Sequence, residues 1–273
     1  MSDSLVWWMF GLGAATVIAV SFIAAPYGRY TRAGWGPMIP ARLGWVLMES
    51  PAVFALLGFH LTGEAPLQPG AIALLGLWLL HYCNRTFIFP FRMRADGKTM
   101  PVVIAAMAIG FNLFNAYLNG RWLAVENRYP ASWLLEPRFI VGAVIFLIGF
   151  GINVWSDAVL RALRGPKDQG YSIPRGGLYE LIACPNYFGE LLEWLGFSLA
   201  AWSLAGLAFG TGGKVTGDDL PAPASPVATG AHTKRLMRFQ MSLLIVTGTS
   251  PAPGASPRRM NTRFWLGATL ITW

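Results

Sequence analysis

Charged and amide side chains set inside stretches otherwise apolar enough to span a bilayer are the residues on which this chain could build chemistry. Asn153, Asp157, Arg161 and Arg164 are spaced four, four and three apart, so they share one side of a helix. Asn186, Glu190 and Glu193 repeat the i, i+4, i+7 spacing at the start of the next apolar helix, after a loop rich in Gly, Pro and Tyr. Ionisable groups at bilayer depth cost about 2.5 to 3.5 kcal/mol each on insertion scales, so two such faces around one loop favour a polar ligand at the membrane boundary. The competing reading is local, with Asp157 and Glu190 pairing with Arg161 and Arg164.

A second constellation lies upstream. Glu49 falls about two turns into the apolar run LGWVLMESPAVFALLGFHL, with Trp45, Met48 and Phe54 nearby. Desolvation there favours the neutral carboxylic acid, which can donate a hydrogen bond. The alternative is a structural ion pair with Arg85. Tyr82 and Arg85 are three apart in HYCNRTFIF and share a face, and Tyr82 lies mid-run, away from the membrane edge where belt tyrosines gather. His81 reads as a helix-packing residue. Asn112 and Asn115, again three apart, read as makers of interhelical hydrogen bonds.

The elements that must position these groups are membrane helices. Of 273 residues 54% are hydrophobic and only 12% charged, far from the roughly 25% charged that is usual for a soluble domain. Runs of about 20 residues, long enough to span, occur near 5–25, 43–62, 71–91, 101–118, 139–160 and 187–209. The expected fold is an all-α, polytopic membrane helix bundle with six clear transmembrane helices, a seventh being left open. The N-terminal segment has no basic leader region and too long an apolar run for a cleaved signal, so it is expected to stay as the first helix. Within it, the Gly11–Thr16 stretch GLGAAT follows no strand and reads as helix packing, not as a dinucleotide fingerprint.

Charge sets the expected orientation. The loops at 26–42, 92–100 and 161–186 hold ten basic residues and the alternate loops at 63–70 and 119–138 hold three, which places the first set in the cytoplasm and the N-terminus outside. The net charge of +8 is therefore an orientation signal, and no nucleic-acid partner is expected. Two cysteines and three scattered histidines offer neither a disulfide framework nor metal-ligand spacing, so no metal is expected. The loop 119–138, with Trp122, Tyr129 and Trp133, is expected to lie on the outer interface and close the bundle.

Three blocks in the polar region also carry a resemblance: GINVWSDAVLRALR at 151–164, YSIPRGGLY at 171–179 and NYFGELLEW at 186–194, in that order. Upstream, Glu49 and Pro51 fit an E-x-P motif, and His81, Tyr82, Arg85 and Thr86 fit H-Y-x-x-R-T. This pattern resembles the steroid 5-alpha-reductase family over about residues 20 to 209. The resemblance implies NADPH-dependent reduction of the 4,5 double bond of a 3-keto-4-ene steroid or a similar enone lipid. It implies Glu49 and Tyr82 as the donors that polarise the carbonyl, since two donors in a dry pocket stabilise an oxygen gaining charge. Around the cofactor it implies Asn153, Asp157, Asn186 and Glu190 on amide and ribose groups, Arg164 and Lys98 on phosphates, and Tyr27, Arg85 and Tyr171 beside them. Tyr27 could equally be an interfacial anchor. Trp45, Phe111 and Trp194 are the implied substrate wall, although base rates place a tryptophan such as Trp194 in a core.

The implied partners are a steroid or other enone lipid and the surrounding membrane lipid, and a monomer is expected. A different enzyme class stays open, because GLY followed by PNYFG also resembles the loop of membrane methyltransferases that use S-adenosylmethionine. Those proteins usually carry Arg-His-Pro where this chain has Ala183-Cys184-Pro185. A catalytically inactive lipid-binding homologue is a further alternative. Past Phe209 the family's closing helix and basic tail motifs are not matched. Residues 1–209 are therefore expected to form the membrane-embedded reductase domain. Residues 210–273 form an atypical tail whose Gly, Pro, Ala, Ser and Thr content buries little apolar surface.

Overall fold

The computed structural model describes residues 3–22, 26, 31–62, 68–95, 97–126, 129–163 and 174–211, and these are mostly helical. Helix α1 covers Asp3–Phe22, α2 Ala41–Thr62, α3 Pro69–Cys83, α4 Phe89–Arg92, α5 Val102–Arg121, α6 Pro137–Ala162, α7 Pro185–Ala201 and α8 Leu204–Thr211. Four helical stretches among the described residues are long and apolar enough to cross a membrane, at 41–62, 69–92, 102–125 and 137–162. The chain is a helical membrane protein. One small departure from an all-α fold is the antiparallel pair β1 (Met38–Pro40) and β2 (Thr99–Pro101), with Ile39 opposite Met100.

That pair sets the depth of the residues that matter. It ties together the entrances of α2 and α5, because Ala41 N–H donates to the Lys98 carbonyl and Val102 N–H to that of Pro37, each at 2.9 Å. The two helices then run side by side in the same direction: Asn112 meets Met48, and eight residues on Gly120 packs on Leu56. Glu49 and Asn112 thus arrive at similar depth, about 12 and 15 Å from their helix starts at 1.5 Å per residue.

Two prolines shape the local backbone around the polar residues. Pro51, inside α2, has no N–H to offer the carbonyl four residues back, and the Ser50 hydroxyl donates to that Leu47 carbonyl instead, at 3.2 Å. Pro90, the second residue of α4, likewise has no N–H to offer the carbonyl four residues back. The helix widens there into a π turn over Asn84–Ile88, in which Phe89 N–H donates to the Asn84 carbonyl five residues back. Arg85 and Thr86 lie on this turn and are buried.

Helices α6 and α7 lie antiparallel with their backbones in contact. A Cβ built on Gly142 would come within 2.5 Å of the Gly196 carbonyl, and one on Gly149 within 2.5 Å of that of Gly189. The glycines recur at seven-residue spacing on both helices, so one seam of small residues faces another throughout. No larger side chain fits. This contact is what brings the Asn153 face against the Asn186 face.

The expected sixth span at 187–209 does not run straight through. It stops at Trp202, whose φ of 46° is left-handed, and restarts as α8, where the Ser203 hydroxyl accepts from Gly206 N–H at 3.0 Å as a helix N-cap. Helix α8 then doubles back along α7, with Gly206 against Ser198 and Gly210 against the Trp194 carbonyl. The carbonyls left over where α7 ends are met by side chains: Trp133 Nε1 donates to Ala200 at 3.0 Å and the Tyr129 hydroxyl to Ala201 at 2.7 Å. The 119–138 loop therefore closes this end of the bundle. Trp78, Tyr82, Phe146, Trp194 and Phe197 are the largest rings of the core between the two ends.

Candidate active site

Glu49 and Tyr82 come from different helices, are both fully buried, and meet at a single amide. Asn112 Nδ2 donates to the Met48 carbonyl at 2.6 Å and to Glu49 Oε2 at 3.4 Å, while its Oδ1 accepts from the Tyr82 hydroxyl at 3.5 Å. Asn115 Nδ2 donates to the same hydroxyl at 3.2 Å, and Asn119 Nδ2 donates to Asn115 Oδ1 at 2.9 Å. Asn112 and Asn115 thus make the interhelical bonds expected of them, and both make them to the expected donor pair.

Arg85 lies one helical turn beyond Tyr82, held between the rings of Trp45 and Phe89 at 4.9 and 4.3 Å. Its guanidinium sits 3.7 Å from Asp157 Oδ2 and 3.6 Å from Glu190 Oε1. Asp157 and Glu190, for which local pairing with Arg161 and Arg164 is the competing reading, face Arg85 of the π turn across helices; Arg164 lies outside the described residues. Both separations are too long for a hydrogen bond, and Arg85 Nε has no partner among the described residues. Asn153 Nδ2 donates to the Asn186 carbonyl at 3.0 Å and to Glu190 Oε1 at 3.2 Å, leaving Asn153 Oδ1 without a partner among the described residues. The Ser156 hydroxyl beside Asp157 is likewise buried and unpartnered.

Buried polar atoms are normally hydrogen-bonded, so three spare ones around two carboxylates and an arginine make this a candidate place for a hydrogen-bonding ligand. The donor and acceptor set fits the amide and ribose part of a nicotinamide dinucleotide: Asn153 Oδ1 can accept from a carboxamide, and Asp157 and Glu190 can accept from hydroxyls. Lys98 is exposed on the turn between α4 and β2. Tyr27, Arg164 and Tyr171, expected near the same ligand, lie outside the described residues.

Of the expected substrate wall, Trp194 is buried at the centre of the rings, with Tyr82 at 5.6 Å and Phe209 at 4.4 Å. Phe111 meets Phe209 at 6.1 Å. Trp45 packs on Arg85. His81 packs as expected, edge-on to Tyr82 and Trp194, and in addition its Nδ1 lies 2.7 Å from Glu193 Oε2. That His81–Glu193 pair is not foreseeable from either helix alone. The 174–184 segment is fastened over α6 by the Tyr179 hydroxyl, which donates to the Ser156 carbonyl at 3.0 Å.

Comparison with known proteins matches residues 98–212 to a family model described as 3-oxo-5-alpha-steroid 4-dehydrogenase. The chain is 41% identical over 205 residues to Steroid 5-alpha-reductase DET2 of Gossypium hirsutum, covering 74% of this chain and 80% of that protein. It is 41% identical over 212 residues to 3-oxo-5-alpha-steroid 4-dehydrogenase 1 of Bos taurus, covering 76% and 82%. With the Homo sapiens protein of the same description it shares 43% over 185 residues, or 67% and 71%.

Proposed function

The chain belongs to the 3-oxo-5-alpha-steroid 4-dehydrogenase family and is an oxidoreductase, and on that premise we propose that it reduces the 4,5 double bond of 3-keto-4-ene steroids, or of a similar enone lipid, with NADPH. The observation that carries this reading is the meeting of Glu49 and Tyr82 at Asn112, one helical turn from the Arg85–Asp157–Glu190 cluster. NADPH, when bound, supplies the hydride for the carbon β to the carbonyl.

The chain's own residues do the rest. Glu49 and Tyr82 direct donors at the substrate carbonyl oxygen, where negative charge builds as the double bond is reduced. Their full burial keeps competing water away, which makes each donor worth more than it would be in solvent. Asn153, Asp157, Asn186 and Glu190 hold the carboxamide and ribose hydroxyls. Arg85 balances the two carboxylates, while Arg164 and Lys98 meet the phosphates and Tyr27 and Tyr171 flank them. Phe111, Trp194 and Trp45 are the apolar groups for a flat lipid entering from the bilayer.

The topology belongs to the same reading: N-terminus outside, cofactor drawn from the cytoplasm, six crossings with a seventh open, and a monomer in membrane lipid. Residues 1–209 form the reductase unit and 210–273 a separate tail. Purified protein in detergent, given NADPH and a labelled 3-keto-4-ene steroid, is expected to yield the saturated 3-ketone. No saturated product, or label transfer from S-adenosylmethionine instead, would overturn the assignment.

A further inference from the structure

We propose that Asn112 is a positioning residue that sets Glu49 and Tyr82 in register with one another for carbonyl polarisation. The inference rests on the reading that these two residues are the donors. It adds the third group through which they work as a pair.

The argument begins with how firmly the amide itself is held. Asn112 is fully buried, and its shortest bond, 2.6 Å to the Met48 carbonyl, is to backbone that cannot rotate away. A carbonyl accepts only from a donor, so this bond decides which end of the amide is nitrogen. The reversed amide would set Oδ1 against both the Met48 carbonyl and the Glu49 carboxyl. With nitrogen fixed, the second amide hydrogen faces Glu49 Oε2 at 3.4 Å and Oδ1 faces the Tyr82 hydroxyl at 3.5 Å. One rigid planar group therefore orients a carboxyl from α2 and a phenol from α3 at once.

The lengths of these bonds suit a holder. Contacts of 3.4 and 3.5 Å are at the long limit of hydrogen bonding and are weak. Tyr82 can therefore turn its hydrogen from Oδ1 to an arriving carbonyl at little cost, and Asn115 goes on donating to the hydroxyl oxygen at 3.2 Å. The remaining links of the network serve the same end, with Asn119 fixing the Asn115 amide at 2.9 Å.

A double-mutant cycle on the full-length protein in detergent tests the proposal, with NADPH and a 3-keto-4-ene steroid as substrates. Asn112→Ala is expected to lower kcat about 10- to 100-fold, the scale of a misplacement near 1 Å, with the steroid KM changed less than about threefold. In the Tyr82→Phe background, where Glu49 alone is left to be oriented, the same substitution is expected to cost at least about threefold less than in the wild type. The same loss in both backgrounds, or no loss in either, would overturn the proposal and leave Asn112 as packing. Should Asn112→Ala not give a monodisperse protein, Asn112→Ser carries the same cycle with the same two outcomes. Wild-type turnover in both Glu49→Gln and Tyr82→Phe would instead overturn the donor reading beneath it.

Discussion

The two ends of α7 differ in how the polar groups beside them are met. Where α7 ends, the carbonyls of Ala200 and Ala201 are taken up by Trp133 and Tyr129, and the Tyr129 hydroxyl in turn accepts from Trp122 Nε1 at 2.7 Å. Where α7 begins, Asn153 Oδ1, Ser156 Oγ and Arg85 Nε are buried with no partner among the described residues. Two aromatic side chains meet the last carbonyls of α7, although Arg138 Nε nearby is buried without a partner among the described residues, whereas the spare atoms at the other end lie within reach of an ion cluster. Unmet bonding capacity in a buried place costs stability, about 1 to 3 kcal/mol per group, and is kept where a ligand completes it. Residues at the first end should therefore report on stability and those at the second on turnover.

The sharpest division is expected at Glu49. Glu49→Gln should remove measurable reduction while NADPH affinity stays within about threefold, since the carboxyl lies on a different helix from the Asn153 and Asn186 faces. Normal turnover in this variant would end the donor role. Tyr82→Phe should lower kcat by about 10² to 10³-fold through loss of one donor to the developing oxyanion. A weaker NADPH Kd at unchanged kcat would move Tyr82 to the cofactor side of the site. Asn153→Ala should weaken NADPH binding about tenfold, the worth of one hydrogen bond, measured by fluorescence titration. Unaltered affinity would mean that the spare Oδ1 serves no ligand.

At the opposite end, Tyr129→Phe should destabilise the protein by about 1 to 3 kcal/mol, because Ala201 O and Trp122 Nε1 both lose their buried partner. Thermal unfolding in detergent should show this as a lower Tm, with kcat unchanged per folded molecule. A fall in kcat without a change in Tm would erase the distinction between the two ends.

Much of the site was legible because a polar residue inside an apolar run announces itself. Glu49, Tyr82, Asn153, Asp157, Asn186 and Glu190 were all found that way. Their grouping into two faces followed from helical spacing alone. Pairings between distant helices were not legible: spacing within α6 and α7 offered Arg161 and Arg164 to the carboxylates, whereas the fold offered Arg85 from the π turn. The role of Asn112 was hidden for the same reason, since one helix shows an asparagine but not what it faces. The glycines at seven-residue spacing on α6 and α7 were available to inspection and give the helix contact directly. The reversal at Trp202 left no hydropathy signal. An unbroken apolar stretch reads as one crossing whether it runs straight or folds back, and the Ser203 cap is one residue in it.

The glycine seam between α6 and α7 has a mechanical meaning. Helices packed through side chains can shear past one another by small rotamer adjustments, each residue giving a little. Backbones in direct contact have no such slack: at Gly142, Gly149, Gly189 and Gly196 the neighbour is main chain, within 2.6 Å of where a Cβ would sit. The pair behaves as a girder. Asp157 and Glu190, one on each beam, are therefore held at a fixed separation. The two carboxylates of the polar clasp are set by a main-chain contact that leaves no room for shear.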